Sequence, residues 1–166
     1  MEQLNILAID GGNQMSGYCV LADDYTPLEF GKVANDTLLQ MLPDLWERYE
    51  PLLAIEQFES YGMPVGREVF DSCVWNGRFI ERFVRFSDRW FWVKRKDEKL
   101  TICGTTRAND SNIRHALIER FAKHDLKNGK GTKNNPDFFY GFKADIWSAF
   151  AIGYTAFLIM EDGYER

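Results

Sequence analysis

The chain has 166 residues, of which 45% are hydrophobic and 15% aromatic, and its formal net charge is −5. This length and composition predict a single domain over residues 1–166 and exclude a disordered chain. No apolar run reaches the roughly 20 residues that span a bilayer, and no basic segment precedes a signal-like apolar stretch. We therefore expect a cytoplasmic protein with no membrane partner.

Three predicted strands open the chain, and a helix and a fourth strand follow them. Apolar runs separated by short polar turns are typical of an antiparallel meander. The three strands are residues 5–9, 16–21 and 28–33. Leucines at helical spacing predict a helix over residues 36–49, and the short apolar run at residues 52–55 predicts a buried strand.

The remaining residues predict helices around a fifth strand. A long helix is expected over residues 67–86, with apolar positions at Val69, Phe70, Cys73, Val74, Ile80 and Phe83. Then follow a strand at 90–93, a short helix or turn at 98–103, a helix at 109–121, a flexible basic loop at 124–136 and an apolar helix at 143–160. A mixed sheet with helices on both faces accommodates this order.

Three carboxylates occupy comparable positions in these elements. Asp10 ends the first strand, Glu56 directly follows the fourth, and Asp145 lies in the first turn of the last helix. If the first and fourth strands are neighbours, the three acids meet at one edge of the sheet. Carboxylate oxygens suit Mg²⁺ or Mn²⁺, and two such ions about 4 Å apart can hold both sides of a phosphodiester during in-line attack.

Each acid also has a simpler interpretation. Asp10 could accept hydrogen bonds from the amides of Gly11 and Gly12 in a turn. Glu56 could form a salt bridge at a strand end, and Asp145 could be a first-turn acid favoured by the helix dipole. The shared placement of all three acids favours the metal site over these separate explanations.

Several segments resemble the RuvC-type Holliday junction resolvases. These are residues 6–12 (ILAIDGG) with 16–18 (SGY), 54–57 (AIEQ) and 145–152 (DIWSAFAI). Residues 104–121 and 131–136 are similar to the phage-type branch of that family. The resemblance spans nearly the whole chain, and the order and spacing of the motifs are more specific than any one of them.

The resemblance implies an α/β, ribonuclease H-like fold, with a mixed five-stranded sheet (three antiparallel strands, then two parallel) flanked by helices. It implies a homodimeric endonuclease that resolves four-way DNA junctions by paired nicks, leaving 5′-phosphate and 3′-hydroxyl ends. Asp10, Glu56 and Asp145 would be the catalytic residues and would hold two Mg²⁺ ions, with Mn²⁺ also supporting activity. A phage-encoded enzyme of this kind would act on branched DNA in the bacterial host cytoplasm, without a nucleotide cofactor. Gly11 and Gly12 would let a DNA phosphate approach.

The chain departs from the family pattern at two places. Ser148 stands where the bacterial pattern has a second acid in the last motif. Ser148 is a candidate fourth ligand through a metal-bound water or is equally an inert residue, and Glu59 is the reserve candidate. The family also uses a lysine near the start of the helix that follows the fifth strand's connection. No lysine is present there, and Arg107 would take its place as a DNA-binding residue. Lys99 matches another basic position of the family, just before the turn at Gly104.

Basic residues are concentrated in the middle of the chain. Residues 61–133 contain 16 basic and 9 acidic residues, whereas residues 1–60 contain 2 basic and 11 acidic. Candidate DNA-binding residues are Arg78 and Arg82, in a stripe with Arg85 and Arg89, then Lys130 and Lys133 beside Lys127 in the loop, and Tyr61, which could stack on an unpaired base. A solvated face paired with Glu81 and Asp88 explains the arginine stripe equally well.

Two other functions fit parts of the pattern. A nucleotide-binding actin-like or sugar-kinase-like domain also begins with a strand, an aspartate and a glycine-rich hairpin, although such proteins need two domains to enclose ATP. A catalytically silent branched-DNA-binding module is the other alternative, because Ser148 replaces an expected acid.

Overall fold

A mixed five-stranded sheet organises the chain, with strand order β3-β2-β1-β4-β5. The strands are β1 (Ile6–Asp10), β2 (Met15–Leu21), β3 (Pro27–Ala34), β4 (Leu52–Gln57) and β5 (Trp90–Lys94). The first three form an antiparallel meander, and β4 runs parallel to both β1 and β5. This computed structural model, which describes residues 3–163, confirms the predicted sheet.

Five helices cover the two faces of the sheet. They are α1 (Asn35–Tyr49), α2 (Arg67–Phe83), α3 (Arg95–Cys103), α4 (Asp110–Phe121) and α5 (Asp145–Glu161). Because successive strand residues point to opposite faces, Ile6 and Ala8 pack in the core beneath α5, whereas Leu7 and Ile9 pack in the core beneath α1 and α2. No helix among residues 3–163 is long and apolar enough to cross a membrane.

Helix α2 differs from its prediction in both length and orientation. It ends at Phe83 rather than at 86, because the chain turns there to enter β5, so the predicted arginine stripe does not continue along the helix to Arg85 and Arg89. Its buried residues are Ser72, Asn76, Phe79 and Phe83. Phe70 and Val74, predicted on the apolar face, are 61% and 63% exposed.

The segment between α4 and α5 has no regular helix or strand, as predicted, but two carboxylates hold its backbone together. Asp137 accepts hydrogen bonds from the backbone N–H groups of Lys123, His124, Asp125 and Phe138, at 2.7–2.9 Å. Asp125 in turn accepts from the N–H groups of three residues that follow it, Asn128, Lys130 and Gly131. The basic loop is therefore a defined, hydrogen-bonded structure.

Candidate active site

The sheet places Asp10 and Glu56 side by side on one face. Ile9 pairs with Ile55 in the parallel β1–β4 ladder. The next residue on each strand is an acid, Asp10 on β1 and Glu56 on β4. Alternation puts both acids on the face where Ala8 and Ala54 contact the α5 core. The prediction that Asp10 and Glu56 lie next to each other is thus confirmed.

A glycine on β2 lets the start of α5 reach the same place. Gly17 pairs with Asp10 across the β1–β2 ladder. A Cβ atom on Gly17 would lie 2.5 Å from the Asp145 carbonyl oxygen, so only glycine allows this contact. Asp145 is the first residue of α5, and Ala144 before it has a left-handed φ of 46°. The third predicted carboxylate is therefore brought to Asp10 from above the sheet.

Buried polar side chains fix the turn that follows Asp10. The Ser16 hydroxyl donates to Asn35 Oδ1 at 2.6 Å, and Asn35 Nδ2 donates to the Gly12 carbonyl at 2.9 Å. A side chain at Gly11 would collide with Asn76 Oδ1, and Asn76 Nδ2 donates to the Glu56 carbonyl oxygen at 3.2 Å. Packing against Asn76 thus accounts for the glycine at position 11.

The three acids repel one another. Burial, together with the charges of Glu56 and Asp145, raises the pKa of Asp10 to about 8. Burial also raises the pKa of Glu56, although the nearby Arg95 lowers it in part. Groups that are buried, acidic and close together favour a bound cation, because a cation would relieve this repulsion.

Two cations lie at the edges of this acidic group. Lys32, which pairs with Gly17 in the β2–β3 ladder, forms a 2.8 Å salt bridge with Asp145. Arg95, the first residue of α3, forms salt bridges with Glu98 and Asp110. The sequence reasoning missed all of these residues except Asp145.

Glu98 is the least expected member of the group. Glu98 is fully buried. Burial, together with the charges of Glu56 and Asp10, raises the pKa of Glu98 well above its ordinary value. Its Oε1 lies 3.3 Å from Arg95 Nη1, and Oε2 has no hydrogen-bond partner within residues 3–163. The run Arg-Lys-Asp-Glu-Lys at residues 95–99 is typical of an exposed helix, although the i, i+3 spacing of Arg95 and Glu98 was a signal for an ion pair.

The structure separates the two candidates for a fourth ligand. Ser148 lines a cleft of about 200 Å³ together with Asp145, Asp110, Arg95 and Arg114. Glu59 instead accepts a hydrogen bond from the Tyr61 hydroxyl at 2.5 Å and faces Lys94 Nζ at 3.4 Å. Ser148 thus shares a cleft with a predicted catalytic acid, whereas Glu59 contacts Tyr61 and Lys94.

The candidate DNA-binding residues are spread over several surfaces. Arg78, Arg107 and Lys133 are exposed, Arg82, Lys99 and Lys130 are half-buried, and Tyr61 is 68% exposed on a loop. Arg78 stacks over the Trp75 ring at 4.1 Å, and Arg107 lines a different cleft, between α3 and α4, with Cys103 and His115. The structure therefore does not bring Arg107 to the cleft beside Asp145.

The ligand atoms that these residues offer are of the kind that a hard divalent cation prefers. Asp10, Glu56 and Asp145 supply only carboxylate oxygens, and no donor within residues 3–163 hydrogen-bonds to the Asp10 or Glu56 carboxylate. In the described part of the chain, no three acidic, histidine or cysteine side chains are grouped closely enough to hold an ion as they stand. The donor set thus fits Mg²⁺ or Mn²⁺, and its side chains would have to draw together around the ion.

Comparison with known proteins gives a structural likeness and no sequence match. No protein-family profile and no curated protein sequence matches the chain. The structure of Thermus thermophilus RuvC is similar, with a TM-score of 0.72 and 13% identity over 96% of this chain and 97% of that one. T. thermophilus RuvC in complex with Holliday junction substrate gives a TM-score of 0.71 at the same identity, over 96% of both chains. The chain therefore has the RuvC-type, ribonuclease H-like fold.

Proposed function

We propose that this protein is a divalent-metal-dependent endonuclease that resolves four-way DNA junctions. One observation carries the proposal: in a RuvC-type fold, Asp10, Glu56 and Asp145 converge at one sheet edge, and their mutual repulsion and burial raise the pKa of Asp10 to about 8. A structural protein gains nothing from such a costly arrangement, whereas a phosphodiesterase needs it to hold cations. The RuvC structure in complex with a Holliday junction substrate supports the choice of substrate.

Each residue of the site has a distinct task in this proposal. Asp10, Glu56 and Asp145 would bind Mg²⁺ or Mn²⁺, which supplies an activated water and neutralises charge on the leaving 3′ oxygen. The buried Ser16–Asn35 contact holds the turn after Asp10, and Gly17 lets α5 bring Asp145 close. The 2.8 Å salt bridge from Lys32 orients the Asp145 carboxylate. The fold would thus bring the three carboxylates to one place, and a bound ion would draw them together.

Paired nicks require two such sites, and we infer that two copies of the chain pair through α2. Phe70 and Val74 lie one turn apart on this helix and are 61% and 63% exposed. Gly77, a further turn along, is open, since no atom of residues 3–163 outside its own helix backbone lies within 4 Å of its Cβ position. An apolar, unpartnered helix face of this kind is typical of a protein–protein contact, and it supports the homodimer.

The direct test is a panel of labelled DNA substrates incubated with Mg²⁺ or Mn²⁺. The panel would contain a four-way junction, a replication fork, a flap, a linear duplex and an RNA–DNA hybrid. We expect symmetric nicks in the junction, with 5′-phosphate and 3′-hydroxyl ends. D10N should abolish cleavage while the junction remains bound, because the substitution removes a ligand and a negative charge.

Asp23, an exposed turn residue, provides the matched control, since D23N makes the same change outside the site. Cleavage by D10N at the wild-type rate would contradict the proposed catalytic site. Binding of the junction without cleavage by the wild-type protein would instead indicate a silent DNA-binding module.

A further inference from the structure

Arg95 has an unusual position between a buried and an exposed carboxylate. Its Nη1 lies 3.3 Å from Oε1 of Glu98, which is fully buried, and its Nη2 contacts Oδ1 of Asp110, whose side chain is 78% exposed. The Arg95 side chain itself is 28% exposed. One end of the guanidinium is therefore fixed in the protein interior, and the other end is held at the surface.

The exposed end faces the cleft beside the candidate catalytic acids. Arg95 and Asp110 line this cleft with Asp145 and Ser148. Arg95 also acts electrostatically on Asp10 and Glu56. A DNA phosphate that enters this cleft meets several carboxylates, and Arg95 is a cation placed among them.

We propose that Arg95 binds a non-bridging oxygen of the DNA phosphate at this cleft, and that the Asp110 carboxylate occupies the same guanidinium face until DNA arrives. The inference rests on the proposed function. It assigns phosphate binding to Arg95, which the sequence reasoning did not consider, rather than to Arg107.

Three physical points support the exchange of Asp110 for phosphate. Ion pairs with an exposed partner contribute little to stability, because water and salt screen them, so Asp110 is readily displaced. The guanidinium fork binds phosphate and carboxylate in the same bidentate way. The Glu98 contact persists during the exchange, because Glu98 is buried, and it keeps the guanidinium in place.

The competing explanation is that Arg95 has only a structural role, as the ion-pair partner of Glu98. Arg95 could serve only to neutralise the buried Glu98, since a buried charge without a partner is strongly destabilising. R95Q would then unfold the protein and weaken DNA binding indirectly. The double variant R95Q/E98Q removes both charges and separates the two explanations, because it leaves no unpaired buried charge.

The experiment measures binding of a fluorescent four-way junction by anisotropy in EDTA, so that neither cleavage nor metal contributes. We expect R95Q/E98Q, checked for folding by circular dichroism, to bind at least about tenfold more weakly than wild type, as for a lost charged hydrogen bond. K96Q, an exposed lysine next along α3, is the matched control for lost positive charge. It should change binding by less than threefold.

D110N provides the second arm. Freed from its competitor, Arg95 should bind the junction about two- to fivefold more tightly, and this gain should vanish when D110N is combined with R95Q/E98Q. Wild-type affinity in R95Q/E98Q would overturn the inference, and so would a D110N gain that is equal in both backgrounds, since that is a general charge effect. Failure of the proposed function is distinguishable, because the wild-type protein itself would then bind no junction in EDTA, or would bind it and leave it uncleaved when Mg²⁺ is supplied.

Discussion

Replacing Asp10 by asparagine should stabilise the metal-free protein. Asp10 is ionised in the unfolded chain above pH 4, but in the folded protein burial and the charges of Glu56 and Asp145 raise its pKa from 3.8 to about 8. Folding at neutral pH therefore requires either an unfavourable charge or the uptake of a proton. D10N removes this requirement and keeps the shape of the side chain.

The size of the effect follows from the pKa. One unit corresponds to about 1.4 kcal/mol, so the shift of Asp10 sets a ceiling of about 4 kcal/mol at pH 7. Because the carboxylate is partly exposed and water screens the repulsion, we expect about 1–2 kcal/mol. For a protein of this size that corresponds to a rise in melting temperature of about 3–6 °C.

The assay is thermal unfolding of wild type, D10N and the control D23N in EDTA, between pH 4 and pH 8. A raised carboxyl pKa costs nothing when both states are protonated, which holds only well below the unfolded pKa of 3.8. The advantage of D10N should therefore be small near pH 4 and grow as the pH rises toward 8. Added Mg²⁺ should stabilise wild type and D23N but not D10N. The reasoning is refuted if D10N is no more stable than wild type at pH 8, or if its advantage is the same at pH 4.

Three other substitutions test separate parts of the structure. F70E/V74E should make the protein monomeric in light scattering, and junctions should then receive unpaired nicks, because charge disrupts the apolar face of α2. D137N should lower the free energy of unfolding by about 1–3 kcal/mol, because Asp137 accepts hydrogen bonds from four backbone N–H groups. These N–H groups lower the pKa of Asp137 in the folded protein despite its burial. The stability difference between wild type and D137N should therefore hold above pH 4 and shrink below it. G17A should weaken Mg²⁺ binding measured by calorimetry, because its Cβ displaces Asp145.

Each of these outcomes has a clear opposite. A dimeric F70E/V74E variant would place the subunit contact elsewhere on the protein. A D137N protein as stable as wild type at pH 7 would mean that the basic loop contributes little to folding. Unchanged Mg²⁺ affinity in G17A would mean that the start of α5 tolerates a shift, and that Asp145 is not the ligand we propose.

Chain order was enough to predict where the three central acids would meet. Asp10 and Glu56 each follow an apolar run, so the two acids were expected to be neighbours if the first and fourth strands lie side by side, and β1 and β4 do pair in parallel. Asp145 followed from its position at the start of an apolar helix. These features are local in the sequence, since strand ends and helix starts can be recognised from a few residues each.

The polar partners of these acids were not predictable in the same way. Glu98 lies in a run of charged residues that normally faces water, and its burial depends on how α3 packs against α4 and α5. Helix α2 shows the same limit, because it buries Ser72 and Asn76 and exposes Phe70 and Val74. Hydrophobic periodicity assumes that a helix turns its apolar residues to its own core, and α2 does not obey this assumption.

The separation of charge along the sequence does not survive folding. Only two basic residues occur among the first 60, against 11 acidic ones. Yet Lys32 lies against Asp145, and Arg95 from the basic middle of the chain reaches Glu98 and Asp110. The acidic group is thus bordered by one cation from β3 and one from α3. Under the proposed function, this arrangement would let a chain of net charge −5 present positive charge to DNA where phosphate has to approach carboxylates.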